Sequence, residues 1–288
     1  MNKEKIPDAY EKDLMLSKIL NVSREYILAR KNILRLNSLQ QKKFDQMIER
    51  RKKQEPLAYI LEEKEFFGLT FAVTSATLIP RPETELLVEK ILSLPQNFFN
   101  RKTAIIDVGT GSGNIIVSLA KNFLAREKNL PIFFYGVDIS KASLAIAQKN
   151  ARQYKIAEKI KFAKSDLLKH FFRAQENFSP LPDSLLIVAN LPYLSKKIYE
   201  KTPLSVKKYE PKIALMSQKF GLKHYQRLFK EISQIKIKYE FSSIKIFLEF
   251  SPEQKKRMEI ATRKEFPLAE ISFQKDLSEK WRILQINI

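Results

Sequence analysis

The chain contains no cysteine and only two histidines, His170 and His224. Without thiols, disulfides, thiolate metal sites and cysteine nucleophiles are excluded. Two histidines are too few for a histidine-built metal centre, so we predict no metal site and expect each histidine at the surface or its boundary. No run of about 18 apolar residues is present, which argues against a membrane span. The charged N-terminus lacks the apolar core of a secretion signal, so a cytoplasmic location is expected.

Charge of one sign is in excess: 52 lysines and arginines against 32 acidic residues give a net charge of +20. Such an excess favours phosphate-rich partners. The alternative is a lysine-rich composition spread over solvated faces, since diffuse charge identifies no ligand. A nucleic-acid contact therefore stays open and is not required. No conspicuous apolar helix face is left spare, so we expect a monomer.

The first 54 residues predict helices, because apolar residues recur at three- and four-residue spacing. Asn21 or Ser23 and Ser38 are candidate caps between the helical stretches, which are 10–21, 24–37 and 39–53. The alternating, β-branched stretch from Phe66 to Pro80 predicts a hairpin or strand pair that joins this helical part to the remainder.

From Thr103 onward strands alternate with helices, and the chain closes on what resembles a strand pair. This order predicts a doubly wound α/β fold with a mostly parallel, seven-stranded, Rossmann-like sheet. Ligands of such sheets bind outside the carboxyl ends of the strands, near the topological switch point. We divide the chain into a helical domain at 1–64, a hairpin linker at 65–80 and an α/β domain at 81–288.

Glycine is scarce, and three of the six glycines fall in one stretch, "DVGTGSGN". This stretch follows the first predicted core strand and opens a helix, where glycine permits a tight turn and close approach of a ligand to the backbone. A nucleotide-type cofactor is predicted at this loop, whose residues are Gly109, Thr110, Gly111, Ser112 and Gly113.

Acidic residues follow the next two predicted strands. Asp138 ends the second strand, where a carboxylate can accept hydrogen bonds from both ribose hydroxyls. A helix cap is the alternative, because Asp138 and Ser140 precede a helix. Asp166 and Leu167 end the third strand, where they would flank an adenine ring, although Asp166 is equally suited to capping.

The fourth strand ends in Asn190-Leu191-Pro192-Tyr193, which separates a methyl-transfer site from a dinucleotide site. An amide or adenine nitrogen is a poor nucleophile, because its lone pair is delocalised. The Asn190 carbonyl and a neighbouring main-chain carbonyl can accept both of its N–H groups, orient it and stabilise its growing positive charge. Pro192 makes that backbone rigid, and Tyr193 offers a flat wall to a planar acceptor. A simple Asn-x-Pro turn is the alternative.

The glycine loop, the acidic residue at 138 and the Asn-x-Pro-Tyr strand end resemble class I S-adenosylmethionine-dependent methyltransferases. The rest of the chain resembles the HemK/PrmC family, the peptide chain release factor N5-glutamine methyltransferases. The stretch Glu55–Leu92 resembles the family's linker and the Pro-Arg-Pro-Glu-Thr-Glu block that follows it, and its most specific part is Arg81–Glu85. Further resemblance lies in four stretches: "KKYEPKIAL", "GLKHYQRLF", "LEFSPEQ" and "KDLSEKWRIL".

This resemblance implies a helical domain that grips a class-1 release factor. It implies methyl transfer from S-adenosylmethionine to the glutamine nitrogen of a Gly-Gly-Gln loop. Carried over, the cofactor residues are Gly109, Thr110, Gly111, Ser112, Gly113, Asp138, Asp166, Leu167 and Asn190. Asn190 to Tyr193 would hold the glutamine amide, with Asn190, Pro192 and Tyr193 as the catalytic residues.

The chain departs from the family pattern at three places. The family has proline where this chain has Leu191, but the chemistry needs only the main-chain carbonyl of that residue. Ser217-Gln218 replaces a glycine pair, and Ser251 replaces a glycine. These changes affect local loop geometry rather than the reaction.

Three other functions remain open at this stage. Asn-Leu-Pro-Tyr is typical of ribosomal RNA adenine-N6 dimethyltransferases, and the basic charge suits RNA. A ribosomal protein could present the glutamine instead of a release factor, because the clamp recognises an amide. A binding module that kept the fold without catalysis is the third reading.

Overall fold

The computed structural model describes residues 6–126, 130–173, 178 and 181–288, so the first five residues of the predicted helical domain lie outside the described part. Four helices open it: α1 Ala9–Leu20, α2 Arg24–Arg30, α3 Ser38–Lys52 and α4 Leu57–Leu61. Of these, α1, α3 and α4 pack around Met15, Ile60 and Leu61. A buried ion pair joins α1 to α3, with Arg51 Nη2 2.6 Å from Glu11 Oε1.

The helix boundaries differ from the prediction at one junction. Helix α2 ends at Arg30 rather than at residue 37. The cap of α3 is Asn37 and not Ser38: the Asn37 side chain accepts from Gln40 N at 2.9 Å, and Asn37 N donates to Gln40 Oε1 at 3.0 Å. This capping box requires an extended Asn37, so the preceding helix cannot continue through it.

A two-stranded antiparallel hairpin follows, made of β1 Glu63–Phe66 and β2 Leu69–Ala72. It begins three residues before the predicted position, and residues 73–80 continue from it without strand pairing to the sheet. The fully buried Asn150 anchors the hairpin, because its amide accepts from Ala72 N at 2.7 Å and donates to Ala72 O at 3.0 Å. The same amide donates to Ser112 O, so the hairpin is tied to the glycine loop.

The remaining described chain alternates strands and helices. Its elements are α5 Glu85–Leu92, β3 Thr103–Val108, α6 Asn114–Arg126, β4 Ile132–Asp138, α7 Lys141–Gln153, β5 Ile160–Lys164, α8 His170–Arg173, β6 Ser184–Ala189, α9 Lys196–Glu200, α10 Leu204–Tyr209, α11 Lys223–Tyr239, β7 Ser243–Glu249, α12 Lys255–Glu265, β8 Glu270–Lys275 and β9 Trp281–Asn287. The sequence analysis did not predict six of the helices, which are α4, α5, α8, α9, α10 and α12.

The prediction of a mostly parallel, seven-stranded sheet is confirmed. The strand order is β5-β4-β3-β6-β7-β9-β8, and β9 runs in the direction opposite to the other six strands. Alternate residues of β3 face two cores: Ile106 packs with α11 and α12, whereas Ile105 packs with α5, α6 and α7. From β3 the chain proceeds outward to β4 and β5, and then returns to place β6 on the other side of β3. The switch point of the sheet therefore lies between β3 and β6.

Within the described ranges, no helix combines the length and apolar character that a bilayer crossing requires.

Candidate active site

A cavity of about 370 Å³ opens at the carboxyl ends of β3, β4, β5 and β6, within the size range of small-molecule sites. Segment 76–81, which follows the hairpin, forms one of its walls. The cavity brings together ten of the predicted site residues, which are Gly109, Thr110, Gly111, Ser112, Asp138, Asp166, Leu167, Asn190, Leu191 and Pro192. Gly113 and Tyr193 do not line it.

The glycine loop is held by the neighbouring strand. The N–H groups of Gly109 and Thr110 both donate to Val137 O, at 2.8 and 2.9 Å. Gly113 opens α6 with φ +79°, and a Cβ there would lie 3.0 Å from the Ala147 Cβ. Only glycine satisfies both the left-handed backbone and this close approach of two helices. Gly113 therefore shapes the loop without facing the cavity.

Asp138 is bound to the glycine loop by its carboxylate. Oδ2 accepts from Gly111 N at 2.9 Å, and Oδ1 accepts from Ser140 N at 2.8 Å. The cap of α7 is the Ser140 side chain, which accepts from Ser143 N. Burial raises the pKa of Asp138 against these main-chain donors. The carboxylate thus lies beside the loop, at the wall of the cavity, rather than acting as the helix cap.

The end of β5 supplies Asp166 and Leu167 to the cavity wall. Asp166 Oδ2 accepts from Arg227 Nη2 at 2.7 Å and from Lys169 Nζ at 2.9 Å. Burial pushes the pKa of Asp166 up, but these two cations outweigh it and hold the pKa below the ordinary value. Leu167 adopts a left-handed backbone with φ 56°, a conformation that costs energy in a non-glycine residue and is frequent at functional sites.

One carboxyl in the quoted glycine stretch was not singled out from the sequence. Asp107 is fully buried, and its Oδ2 accepts from Thr110 Oγ1 at 2.6 Å. Among the residues that the structure describes, no hydrogen-bond partner of its Oδ1 is found. Burial raises the pKa of Asp107 to about 7. Asp107 therefore supports the glycine loop through its hydrogen bond with Thr110. Its position two residues before Gly109 was the feature of the sequence that could have identified it.

The end of β6 aims Asn190 at the cavity. Asn190 Nδ2 donates to Thr84 Oγ1 at 3.0 Å. The Leu191 side chain is buried, and its Cδ2 lies 3.1 Å from where a Gly109 Cβ would stand. Leucine at this position therefore packs on the glycine loop of the adjacent strand.

Tyr193 lies behind the cavity. Its ring packs against the core that contains α11, and its hydroxyl donates to Glu249 Oε1 at 3.2 Å. The role of a flat wall for the acceptor remains a prediction.

Polar side chains that the sequence did not single out organise the mouth of the cavity. Arg81 lines it and pairs with the buried Glu210, at 2.6 Å between Nη2 and Oε1, so segment 76–81 is joined to the chain after α10. His224 also lines the cavity, half-buried, with Nδ1 2.9 Å from Ser217 Oγ. Burial lowers the pKa of His224, although a hydrogen bond to Pro192 O opposes the shift. Both residues stood in stretches that resemble the family, Arg81 in Arg81–Glu85 and His224 in "GLKHYQRLF", but neither was predicted as a site residue.

Comparison with protein families gives two matches on separate parts of the chain. Residues 7–61 match the PrmC N-terminal domain, and residues 99–261 match a methyltransferase domain. The first covers α1 to α4, and the second covers the sheet from β3 to β7.

Curated relatives match along most of the length. The release factor glutamine methyltransferase of Buchnera aphidicola subsp. Schizaphis graminum is 35% identical over 258 residues, which is 88% of this chain and 84% of the relative. That of Bacillus cereus is 29% identical over 273 residues, which is 94% of this chain and 90% of the relative.

Among solved structures, the catalytic domain of hMettl16 in complex with MAT2A 3'UTR hairpin 6 aligns with a TM-score of 0.55 at 15% identity. The alignment covers 88% of this chain and 83% of that one. At this identity the likeness concerns the fold alone.

Proposed function

The chain belongs to the release factor glutamine methyltransferase family, and we propose that its own substrate is a class-1 peptide chain release factor. The methyl group would pass from S-adenosylmethionine to the side-chain nitrogen of the glutamine in a Gly-Gly-Gln motif. The observation that best supports this proposal is that one cavity is lined by the glycine loop, by Asp138 and by Asn190 at the end of β6. The match of residues 7–61 to the PrmC N-terminal domain favours this family over the RNA adenine dimethyltransferases.

S-adenosylmethionine is the methyl donor of the methyltransferase family to which the chain belongs, and its sulfonium supplies an electrophilic methyl group. The residues of the cavity fit that donor. The glycine loop leaves room beside the backbone, the Asp138 carboxylate can accept hydroxyl donors, and the Asp166 side chain and Leu167 lie one strand further along. We assign the ribose to Asp138 and the adenine to Asp166 and Leu167, in line with the order of β4 and β5.

The acceptor glutamine would bind at the end of β6. The side-chain N–H group of Asn190 donates to Thr84 Oγ1. The carbonyl oxygen of the Asn190 side chain is therefore left to accept from an incoming N–H group. The Leu191 carbonyl is the second candidate acceptor, and Pro192 limits the motion of both. Two acceptors orient the glutamine nitrogen toward the methyl group and stabilise the positive charge that forms on it. Tyr193 supports this strand end through its hydroxyl bond to Glu249.

A methyl-transfer assay with labelled S-adenosylmethionine tests the proposal, with a class-1 release factor, a ribosomal protein fraction and ribosomal RNA as separate acceptors. We expect label on the release factor and none on a variant whose Gly-Gly-Gln glutamine is alanine. Label on RNA adenine or on a ribosomal protein, with none on the release factor, would replace the proposed substrate. Cofactor binding without transfer to any of them would leave a binding module.

We assign residues 1–64 to substrate recognition, 65–80 to the linker and 81–288 to methyl transfer.

We expect the protein to be a monomer, and light scattering of the purified protein checks its mass. We expect it to act in the cytoplasm, where release factors act. Nucleic acid is not required, so nuclease treatment of the protein should leave transfer unchanged.

A further inference from the structure

A network of hydrogen bonds behind the cavity connects the acceptor site to a buried carboxylate. We call Asn190, Thr84, Glu249 and Tyr193 the acceptor-side network. Asn190 Nδ2 lies 3.0 Å from Thr84 Oγ1, which lies 2.6 Å from Glu249 Oε2. The Tyr193 hydroxyl lies 3.2 Å from Glu249 Oε1. Glu249 is 1% exposed and Thr84 2% exposed, so water does not compete for these bonds.

The single proton of the Thr84 hydroxyl decides which end of the Asn190 amide faces it. A separation of 2.6 Å between Thr84 and Glu249 is that of an O–H group donating to a carboxylate. Since Thr84 donates to Glu249, it can only accept from Asn190. The Asn190 nitrogen therefore points at Thr84, and the carbonyl oxygen is turned away from it.

The Glu249 carboxyl group accepts from the hydroxyls of Thr84 and Tyr193. Burial raises the pKa of Glu249, whereas the hydroxyls of Thr84 and Tyr193 and the nearby Arg282 oppose that shift. Thr84 itself ends the 3-10 turn Pro82–Thr84 that precedes α5, so its position is set by a part of the chain outside the sheet.

We propose that Glu249 is a positioning residue that acts through Thr84 to hold the Asn190 carbonyl oxygen toward the acceptor nitrogen. This inference rests on the proposed function, because an N–H acceptor is needed only if the substrate presents an amide nitrogen. A reversed Asn190 would set N–H against N–H and would disfavour the positive charge that grows during transfer.

The kinetic test uses two Thr84 variants of matched size. Thr84→Val removes the hydroxyl and keeps the shape, and we expect a loss in kcat of about 10²-fold. Thr84→Ser keeps the hydroxyl and should stay within about fivefold of the parent. Glu249→Gln, which can reverse the hydrogen-bond direction, should lose at least as much as Thr84→Val. The KM for S-adenosylmethionine should change by less than about threefold in each variant.

Thr262→Val is the matched control, since Thr262 is another fully buried threonine, whose hydroxyl donates to Met258 O in α12. It should lower stability and leave kcat unchanged. Equal losses in Thr84→Val and Thr84→Ser, or a Thr84→Val variant with parental kcat, would overturn the inference. If Glu249→Gln does not fold, the two Thr84 variants decide it alone.

A second readout needs no acceptor substrate. In ¹⁵N-labelled protein, the Asn190 side-chain amide is assigned as the signal missing from Asn190→Asp. We expect this amide to be protected from hydrogen exchange in the parent and in Thr84→Ser, and exposed to exchange in Thr84→Val. Equal protection in all three would refute the orientation. If the parent transfers no methyl group to a release factor, the proposed substrate is wrong, while the amide signal still decides the orientation.

Discussion

The two sides of the cavity are held by different kinds of hydrogen-bond partner. On the cofactor side, the Asp138 carboxylate accepts from the main-chain N–H groups of Gly111 and Ser140. On the acceptor side, Asn190 and Glu249 are joined through another side chain, Thr84. The position of Asp138 therefore depends on the course of the backbone, whereas the position of Asn190 depends on which side chains stand at distant positions, as it does for Asp166 with its partner Arg227. Substitutions on the two sides should accordingly affect different kinetic parameters.

The largest expected effect concerns Asn190. Asn190→Ala removes the carbonyl acceptor of the substrate amide, and we expect kcat to fall by about 10²- to 10³-fold, as for other single groups that stabilise a developing charge. Cofactor affinity, measured by calorimetry, should change by less than about tenfold.

Asn122 supplies the control for this variant, because its amide donates to Ser118 O within α6 and does not line the cavity. Asn122→Ala should keep the parental kcat. A fall in cofactor affinity as large as the fall in kcat would mean that Asn190 serves the cofactor more than the acceptor.

The next largest effect is expected on the cofactor side, where a substitution should weaken cofactor binding more than it lowers turnover. Asp138→Ala removes the proposed ribose partner and two charge-assisted main-chain hydrogen bonds. Hydrogen bonds to a charged group contribute about 1.5–3 kcal/mol, so we expect the Kd of S-adenosylmethionine to rise by about 10- to 100-fold. Turnover at saturating cofactor should fall much less. Asp45→Ala on the surface of α3 is the control, and parental cofactor affinity in Asp138→Ala would contradict the ribose assignment.

Asp107 gives the cofactor side a dependence on pH that the acceptor-side variants should not alter. Its pKa is about 7 in the folded protein, against roughly 3.9 for an unfolded chain. Because the folded state favours the neutral carboxyl, this stabilisation is fully present below pH about 4 and is lost as the pH rises through about 7.

Asp107→Asn cannot titrate. Its free energy of unfolding relative to the parent should therefore rise between pH 4 and pH 8, by up to a few kcal/mol. Denaturant unfolding of both proteins at several pH values measures this difference. A constant difference across the range would show that Asp107 does not change protonation on folding.

The smallest effect is expected where the two sides touch. Leu191→Pro restores the family residue, keeps the main-chain carbonyl and loses the contact of the leucine side chain with Gly109. No main-chain hydrogen bond donated by Leu191 is found in the described structure, so proline removes no donor that is in use. Turnover should stay within about threefold of the parent or rise. A loss of tenfold or more would mean that this chain needs its leucine for the geometry of both sides.

On the cofactor side, the sequence predicted that the glycine loop, Asp138 and Asp166 would lie close together, and all of these residues except Gly113 line the cavity. Gly109 follows β3, Asp138 is the last residue of β4 and Asp166 lies two residues after β5. Parallel strands bring their carboxyl ends to one edge, whereas the roles of these residues in binding a cofactor stay predictions. The loop between α2 and α3 was misjudged by a few residues, because apolar spacing continued through Asn37 while the capping box ended the helix. The apolar spacing favoured a helix through Asn37, whereas the capping box at Asn37 requires a new helix to begin there, and the structure follows the capping box.

The partners of Asn190 could not be predicted in the same way. Thr84 lies 106 residues before Asn190, and Glu249 lies 165 residues after Thr84. Both stood within stretches that resembled the family, but nothing in their local spacing indicates that they meet. His224 in α11 and Arg81 before α5 also line the cavity. Local spacing does not indicate that either of them lies there.

Sequence alone sufficed to predict the alternation of strands and helices, the glycine loop and the residues at the ends of the strands, because these follow from periodicity and from the short-range geometry of the chain. The tertiary structure alone decided the direction of the Asn190 amide, the burial of Glu249 and the packing of Leu191 on Gly109. A hydrogen-bond direction depends on which donors surround a group in space, and packing of β6 and β7 beside the turn that precedes α5 assembles those donors from parts of the chain that are far apart in sequence.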